Sequence, residues 1–97
     1  MRYVPIKDLT PIRGSAHTKP RPRLQALSDD ELLESVLNPR NGDYLTENTR
    51  TGTLVDGNGR AIELQRRAAD PNSGISPDTP VPVLPHTPDL TMFPDLD

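Results

Sequence analysis

The chain reads as a small α+β protein with two main helices and a few short strands. Three observations carry that reading. A capping box, Ser28-Asp29-Asp30-Glu31, opens a stripe of apolar residues at helical spacing. Two short apolar runs, Tyr44-Leu45-Thr46 and Thr53-Leu54-Val55, flank a polar loop that ends near Gly52, the pattern of a β-hairpin. The second run then passes through Asp56-Gly57-Asn58-Gly59-Arg60 into Ala61-Ile62-Glu63-Leu64, a strand-to-helix junction.

The elements follow in order. Tyr3-Val4-Pro5-Ile6 is expected to form a strand, with Pro5 confining it to an edge or a strand start. Residues 10–23, rich in proline and arginine and without periodicity, are expected to form a loop. In the first helix Leu32, Leu33, Val36 and Leu37 share one face, Asp29 and Asp30 suit the positive end of the dipole, and Pro39 stops the helix. Asn41-Gly42 marks a turn before the hairpin. The second helix is expected from about Gly59 to Ala69, capped by Asn58 or Asp56 and buried through Ala61, Ile62, Leu64 and Ala68. On it Glu63 and Arg67 stand one turn apart, a pair worth ~0.3–0.5 kcal/mol when exposed, and Arg66 and Arg67 are expected on the solvated side. After a turn-rich stretch, Val81-Pro82-Val83-Leu84 reads as a further strand, placed at an edge by Pro82. Residues 85–97 read as an acidic, proline-rich tail, expected either to be disordered or, in the favoured reading, to dock Met92 and Phe93 on the domain.

Ninety-seven residues, 32% of them hydrophobic, with two Tyr and one Phe, support one domain with a thin core. The absence of cysteine excludes disulfides, thiolate metal sites and cysteine nucleophiles. His17 and His86 show no ligand spacing, so a structural zinc site is not expected. No apolar run approaches the length of a membrane span, and no cleaved signal peptide is read at the start. The net charge of −3 hides an asymmetry: Arg2, Lys7, Arg13, Lys19, Arg21 and Arg23 face Asp8 alone before residue 27, whereas no Lys or Arg follows Asp70. A basic arm and an acidic tail fit either a polyanionic ligand at one end or mutual screening in one particle.

Chemistry is concentrated at the junction. A helix start offers unpaired N–H groups and a positive partial charge to a phosphate or carboxylate. Gly57 and Gly59 permit close approach, and Arg60 adds a planar fork for the same anion. Asp56 and Asn58 are also ordinary N-cap and turn residues, so the same stretch reads equally as a tight connection.

The order of these features resembles the ParB/sulfiredoxin-like superfamily. Val4-Pro5-Ile6-Lys7-Asp8-Leu9-Thr10-Pro11 is similar to the opening strand of ParB-type domains, an arginine-containing loop precedes a helix like 27–37, and Asp56-Gly57-Asn58-Gly59-Arg60 matches the family's strand–turn–arginine–helix hallmark. The resemblance spans residues 3–84 and implies a ParB-like domain over residues 1–84, with a short mixed sheet and two main helices. In sulfiredoxins a catalytic cysteine corresponds to Asn58 and a histidine to Gly59, so sulfinic-acid reduction is excluded here. Partition proteins carry a long DNA-binding helical region after this fold that is not read within these residues, so chromosome partitioning is not expected. A terminal module of this kind resembles the ParB-like nuclease domains of bacterial polymorphic toxins of the Rhs type.

The resemblance implies a domain that binds nucleic acid or a nucleotide and hydrolyses a phosphodiester or phosphoanhydride bond. Asp56, Arg60 and Glu63 are then the catalytic candidates: Asp56 as base or metal ligand, Arg60 against transition-state charge, Glu63 as a helper. Gly57, Asn58 and Gly59 would hold the phosphate, with Arg13, Lys19, Arg21 and Arg23 on its remaining charges and His17 as a further acid or base. A divalent metal such as magnesium is the implied cofactor, and an immunity protein a partner. The setting would be cytoplasmic, or a target cell reached through a specialised secretion system. The alternative is a non-catalytic module that binds a protein partner or a regulatory nucleotide.

Overall fold

A computed structural model describes residues 1–12 and 21–87. The fold is α+β. Strand β1 (Arg2–Pro5) runs into a 3-10 turn at Ile6–Asp8; helices α1 (Pro22–Gln25) and α2 (Asp29–Leu37) follow; then come strands β2 (Leu45–Asn48) and β3 (Leu54–Asp56), helix α3 (Asn58–Ala68) and strand β4 (Pro80–His86). The sheet is mixed, in the order β1-β4-β2-β3. β4 runs antiparallel to β1 and parallel to β2, and β2–β3 is the antiparallel hairpin.

β4 corrects an expectation: it lies inside the sheet despite its prolines. Residues 80–83 pair with β1 and residues 83–86 with β2, so only Val83 is in register with both neighbours. Pro82 stands opposite Tyr3 alone, and Pro85 opposite Glu47 alone. A proline in a sheet needs one open side for its missing donor. The stagger of β1 against β2 supplies that side within an internal strand. Pro85 and His86, read from the sequence as tail, belong to this strand. The remainder of the tail, with Met92 and Phe93, lies outside the described residues.

The core lies between the sheet and the helices. Val4, Ile6, Leu45, Leu54, Val81 and Val83 meet Leu32 and Val36 of α2 and Ala61 and Leu64 of α3. Each such Leu, Ile or Val contributes about 1.5–3 kcal/mol when fully buried. The expected α2 stripe is formed by Leu32 and Val36, with Leu33 half-buried against the core, while Leu37 is exposed. Its capping box is formed as read: Ser28 Oγ accepts the Glu31 N–H at 3.1 Å and Glu31 accepts the Ser28 N–H at 2.9 Å. β3 would present a raw edge, but Leu54 N–H donates to the Thr10 carbonyl at 2.9 Å and the Leu54 carbonyl accepts from Asn58 Nδ2 at 3.3 Å. That closes the edge against further pairing.

The loop expected over 10–23 instead contains α1 at its end, started by Pro22 in the first turn, where a missing N–H costs nothing. A second correction concerns Arg67. Far from being solvated, it is 8% exposed. Its Nε donates to Glu63 at 2.8 Å, its Nη1 to Asp29 at 3.0 Å, and its Nη2 to the carbonyls of Leu24 and Leu27 at 3.1 and 2.8 Å. This arginine ties α1, α2 and α3 together.

Candidate functional site

The strand–helix junction opens onto a cleft of about 1180 Å³ between α1, α2, the turn at residues 39–43 and the start of α3. Gly57 makes the junction. It sits at φ +83°, in the left-handed region, as the N-cap of α3. A Cβ there would stand 2.3 Å from Leu45 Cδ2, a buried side chain, so conformation and space both require glycine. The sequence reading placed the cap at Asn58 or Asp56. Neither caps the helix, and no side chain does. Asp56 is spent locally, its Oδ1 accepting the Gly57 N–H at 2.9 Å, while its exposed carboxylate borders the cleft.

Asn58 does something else. It is 5% exposed, accepts the Ile12 N–H on Oδ1 at 2.7 Å and donates from Nδ2 to the Leu54 carbonyl. Both ends of its amide are used inside the protein, so its side chain pins the 10–12 segment to β3 and is not available as a phosphate ligand. No local pattern revealed this, because its two partners are 46 and 4 residues away.

Arg60 borders the cleft as expected but its fork is already engaged. Nη1 donates to the Ser35 carbonyl at 2.7 Å and Nη2 to the Asp43 carbonyl at 2.8 Å, with the Asp43 carboxylate 3.9 Å away. The side chain is 13% exposed. It braces the end of α2 against the 40–43 turn, which turns back through positive φ at Asn41 and Gly42. Glu63 is not at the cleft. It is buried between Arg66 and Arg67, whose hydrogen bonds, Arg66 first, hold its carboxyl below the usual range against the opposing effect of burial.

Arg21 is the cationic side chain laid over the helix start. Its Cζ and Nε come within 3.0 Å of the place a Cβ on Gly59 would occupy, so Gly59 is the floor on which the guanidinium rests. Among the described residues the Arg21 guanidinium has no hydrogen bond or ion pair. Arg23 and Arg40 also line the cleft, together with the acidic side chains of Asp30, Glu31, Glu34 and Asp43. Arg13, His17 and Lys19 lie outside the described residues. Among the described residues no group of three or more His, Asp or Glu side chains is placed to hold a metal ion. Nor is any described helix long and apolar enough to cross a membrane.

Of the residues read from the sequence, the structure therefore brings Asp56, Gly57, Asn58, Gly59, Arg60, Arg21 and Arg23 to one cleft, with the Asn58 side chain turned to partners inside the protein, and leaves Glu63 out. Comparison with protein families, with curated proteins and with solved structures finds no match to this chain.

Proposed function

We propose that this protein binds a phosphate-bearing ligand, a nucleotide or a nucleic acid, in the cleft above the first turn of α3. The observation that carries this reading is the Arg21 guanidinium, without a protein partner among the described residues, lying over Gly59 at a helix start that no side chain caps. The uncapped N–H groups and the dipole favour an anion, and an arginine fork adds charge-assisted hydrogen bonds of the kind phosphate oxygens accept.

The reading commits to binding before turnover. Arg60 is held by two carbonyls and Glu63 by two arginines, so of the three catalytic candidates only Asp56 offers an exposed carboxylate to the cleft. In a nuclease or nucleotide hydrolase built on this cleft, Asp56 would be the base that takes a proton from the attacking water. Among the described residues the side chains form no metal-ligand set, and magnesium enters as a variable of the assay. The ParB-like affinity and the toxin role belong to this proposal, supported by the strand, Gly57 turn, helix and Arg60 standing in the order that family shows.

Titration of the protein with inorganic phosphate, nucleoside triphosphates and a single-stranded oligonucleotide, followed by amide chemical shifts, tests it. The Gly59 and Arg60 amides are expected to move first, and Arg21→Ala to weaken binding about tenfold, the loss of one charge-assisted contact. Nucleotide binding should weaken with added salt. Absence of binding in the unmodified protein, or unchanged affinity in Arg21→Ala, overturns the reading. Release of phosphate or nicking, lost in Asp56→Asn, would extend it to an enzyme.

A further inference from the structure

We infer that Arg67, which does not line the cleft, is the positioning residue for Arg21. The inference rests on the reading of Arg21 as the phosphate contact. Arg21 is the N-cap of α1, and its carbonyl accepts the Leu24 and Gln25 N–H groups at 3.0 Å each. α1 has four residues and fully buries none of them. One turn of helix with so little burial does not sustain itself, because nucleation fixes several residues for a single hydrogen bond.

What holds it is at its other end. The last carbonyls of a helix have no partner within the helix. Here the Arg67 Nη2 reaches those of Leu24 and Gln25 at 3.1 and 3.4 Å, and the Leu27 carbonyl just past the C-cap at 2.8 Å. Arg67 thus acts as a C-cap supplied by another helix. It is itself fixed at both remaining nitrogens, by Glu63 from its own helix and by Asp29 of α2. Asp29 in turn accepts the Gly74 N–H at 2.9 Å, so the cap is anchored to α2 and to the 70–75 turn. The chain of contacts runs from Asp29 and Glu63 through Arg67 to the end of α1, and through one helical turn to the guanidinium over Gly59. A lysine could not replace it. An ammonium is a point charge and cannot meet two carboxylates and three carbonyls from a planar fork.

The test is a double-mutant cycle with inorganic phosphate as the probe. Arg67→Lys is expected to weaken phosphate binding about tenfold, like Arg21→Ala, and the double variant no more than Arg21→Ala alone. The Gly59 amide resonance of ligand-free Arg67→Lys should shift as the guanidinium leaves it, and the Ala26 and Leu27 amides should exchange faster. Losses that multiply in the double variant, or an unmoved Gly59 resonance, would overturn the inference. Where Arg67→Lys does not fold, Ala26→Gly loosens the exposed end of α1 without touching the core. Faster exchange there with unchanged phosphate affinity overturns the inference equally. If the unmodified protein binds no phosphate, the functional reading fails, while the exchange and resonance changes still report whether Arg67 seats Arg21.

Discussion

Gly59→Ala separates stability from binding at a single atom. Gly59 is the second residue of α3 and has a helical backbone, so alanine meets no conformational penalty there. Replacing glycine by alanine within a helix gains roughly 0.5–1 kcal/mol, and the first turn should return the lower figure, about 0.5. Against this, the new methyl would stand 3.0–3.1 Å from Cζ, Nε and Cδ of Arg21. Comfortable contact is about 3.5–4.0 Å, so the guanidinium must retreat by roughly 0.5–1 Å. Arg21 is exposed and its end is flexible, and the retreat costs the fold little. The expected result is a protein that melts about 2–4 °C higher, from roughly 0.5 kcal/mol in a domain of this size. Its phosphate affinity falls about fivefold as the charge leaves the helix start. Circular-dichroism melts and calorimetric titration with phosphate at low salt give the two numbers. A higher melting temperature with unchanged or tighter phosphate binding would refute the role given to Arg21.

Two further outcomes follow from the same geometry. Gly57→Ala should destabilise the protein by roughly 2–5 kcal/mol, read as a lower urea midpoint: a Cβ at positive φ costs about 1–2 kcal/mol, and forcing a methyl against Leu45 adds overpacking strain of about 1–3. A midpoint within error of the parent would show that the turn can reshape itself. The second concerns acid. Glu63, Asp29 and Glu31 all have lowered carboxyl pKa values, held down chiefly by the Arg66 hydrogen bond, the Gly74 N–H and the Ser28 N–H respectively. The folded state therefore binds fewer protons than the unfolded one. Their stabilisation is fully present above the ordinary carboxylate range of about pH 4–5 and is lost as pH falls through the lowered native values. Melting temperature should stay level from pH 7 to about 5.5 and fall below about 4, with Asp29→Asn showing a shallower fall; a drop already complete by pH 5.5 would contradict this.

What was legible in the sequence was local. The capping box needs only Ser28 and Glu31, three residues apart, and it stands where it was read. The hairpin, α3 and the Gly57–Arg60 junction likewise depend on neighbours in the chain. Pro82 misled because its missing donor is a property of one residue. Whether that donor is needed depends on where β1 ends and β2 begins. Arg67 misled for a similar reason: helical spacing pairs it with Glu63, but its burial is decided by Asp29 and by carbonyls about forty residues away. Arg60 looked like a ligand-binding fork because its two carbonyl partners, at Ser35 and Asp43, are invisible to any motif. Ile75 is buried from within a stretch read only as a connection, since one apolar residue among turn formers has no period to show. The place of the cleft was readable, whereas the division of labour among its residues was not.

The position of β4 has a consequence for how this chain acquires its shape. The strand at the middle of the sheet is the last of the four to be synthesised. Before residues 80–86 leave the ribosome, β1 has waited some eighty residues without a partner, and β2–β3 is a lone two-stranded ribbon, which is at best marginal in water. The nascent chain can make its helical turns and its hairpin early, but the sheet is completed only after translation has passed Val83. Folding is therefore expected to be a late event in synthesis, with the start of the chain and its final strand joined in one closing step.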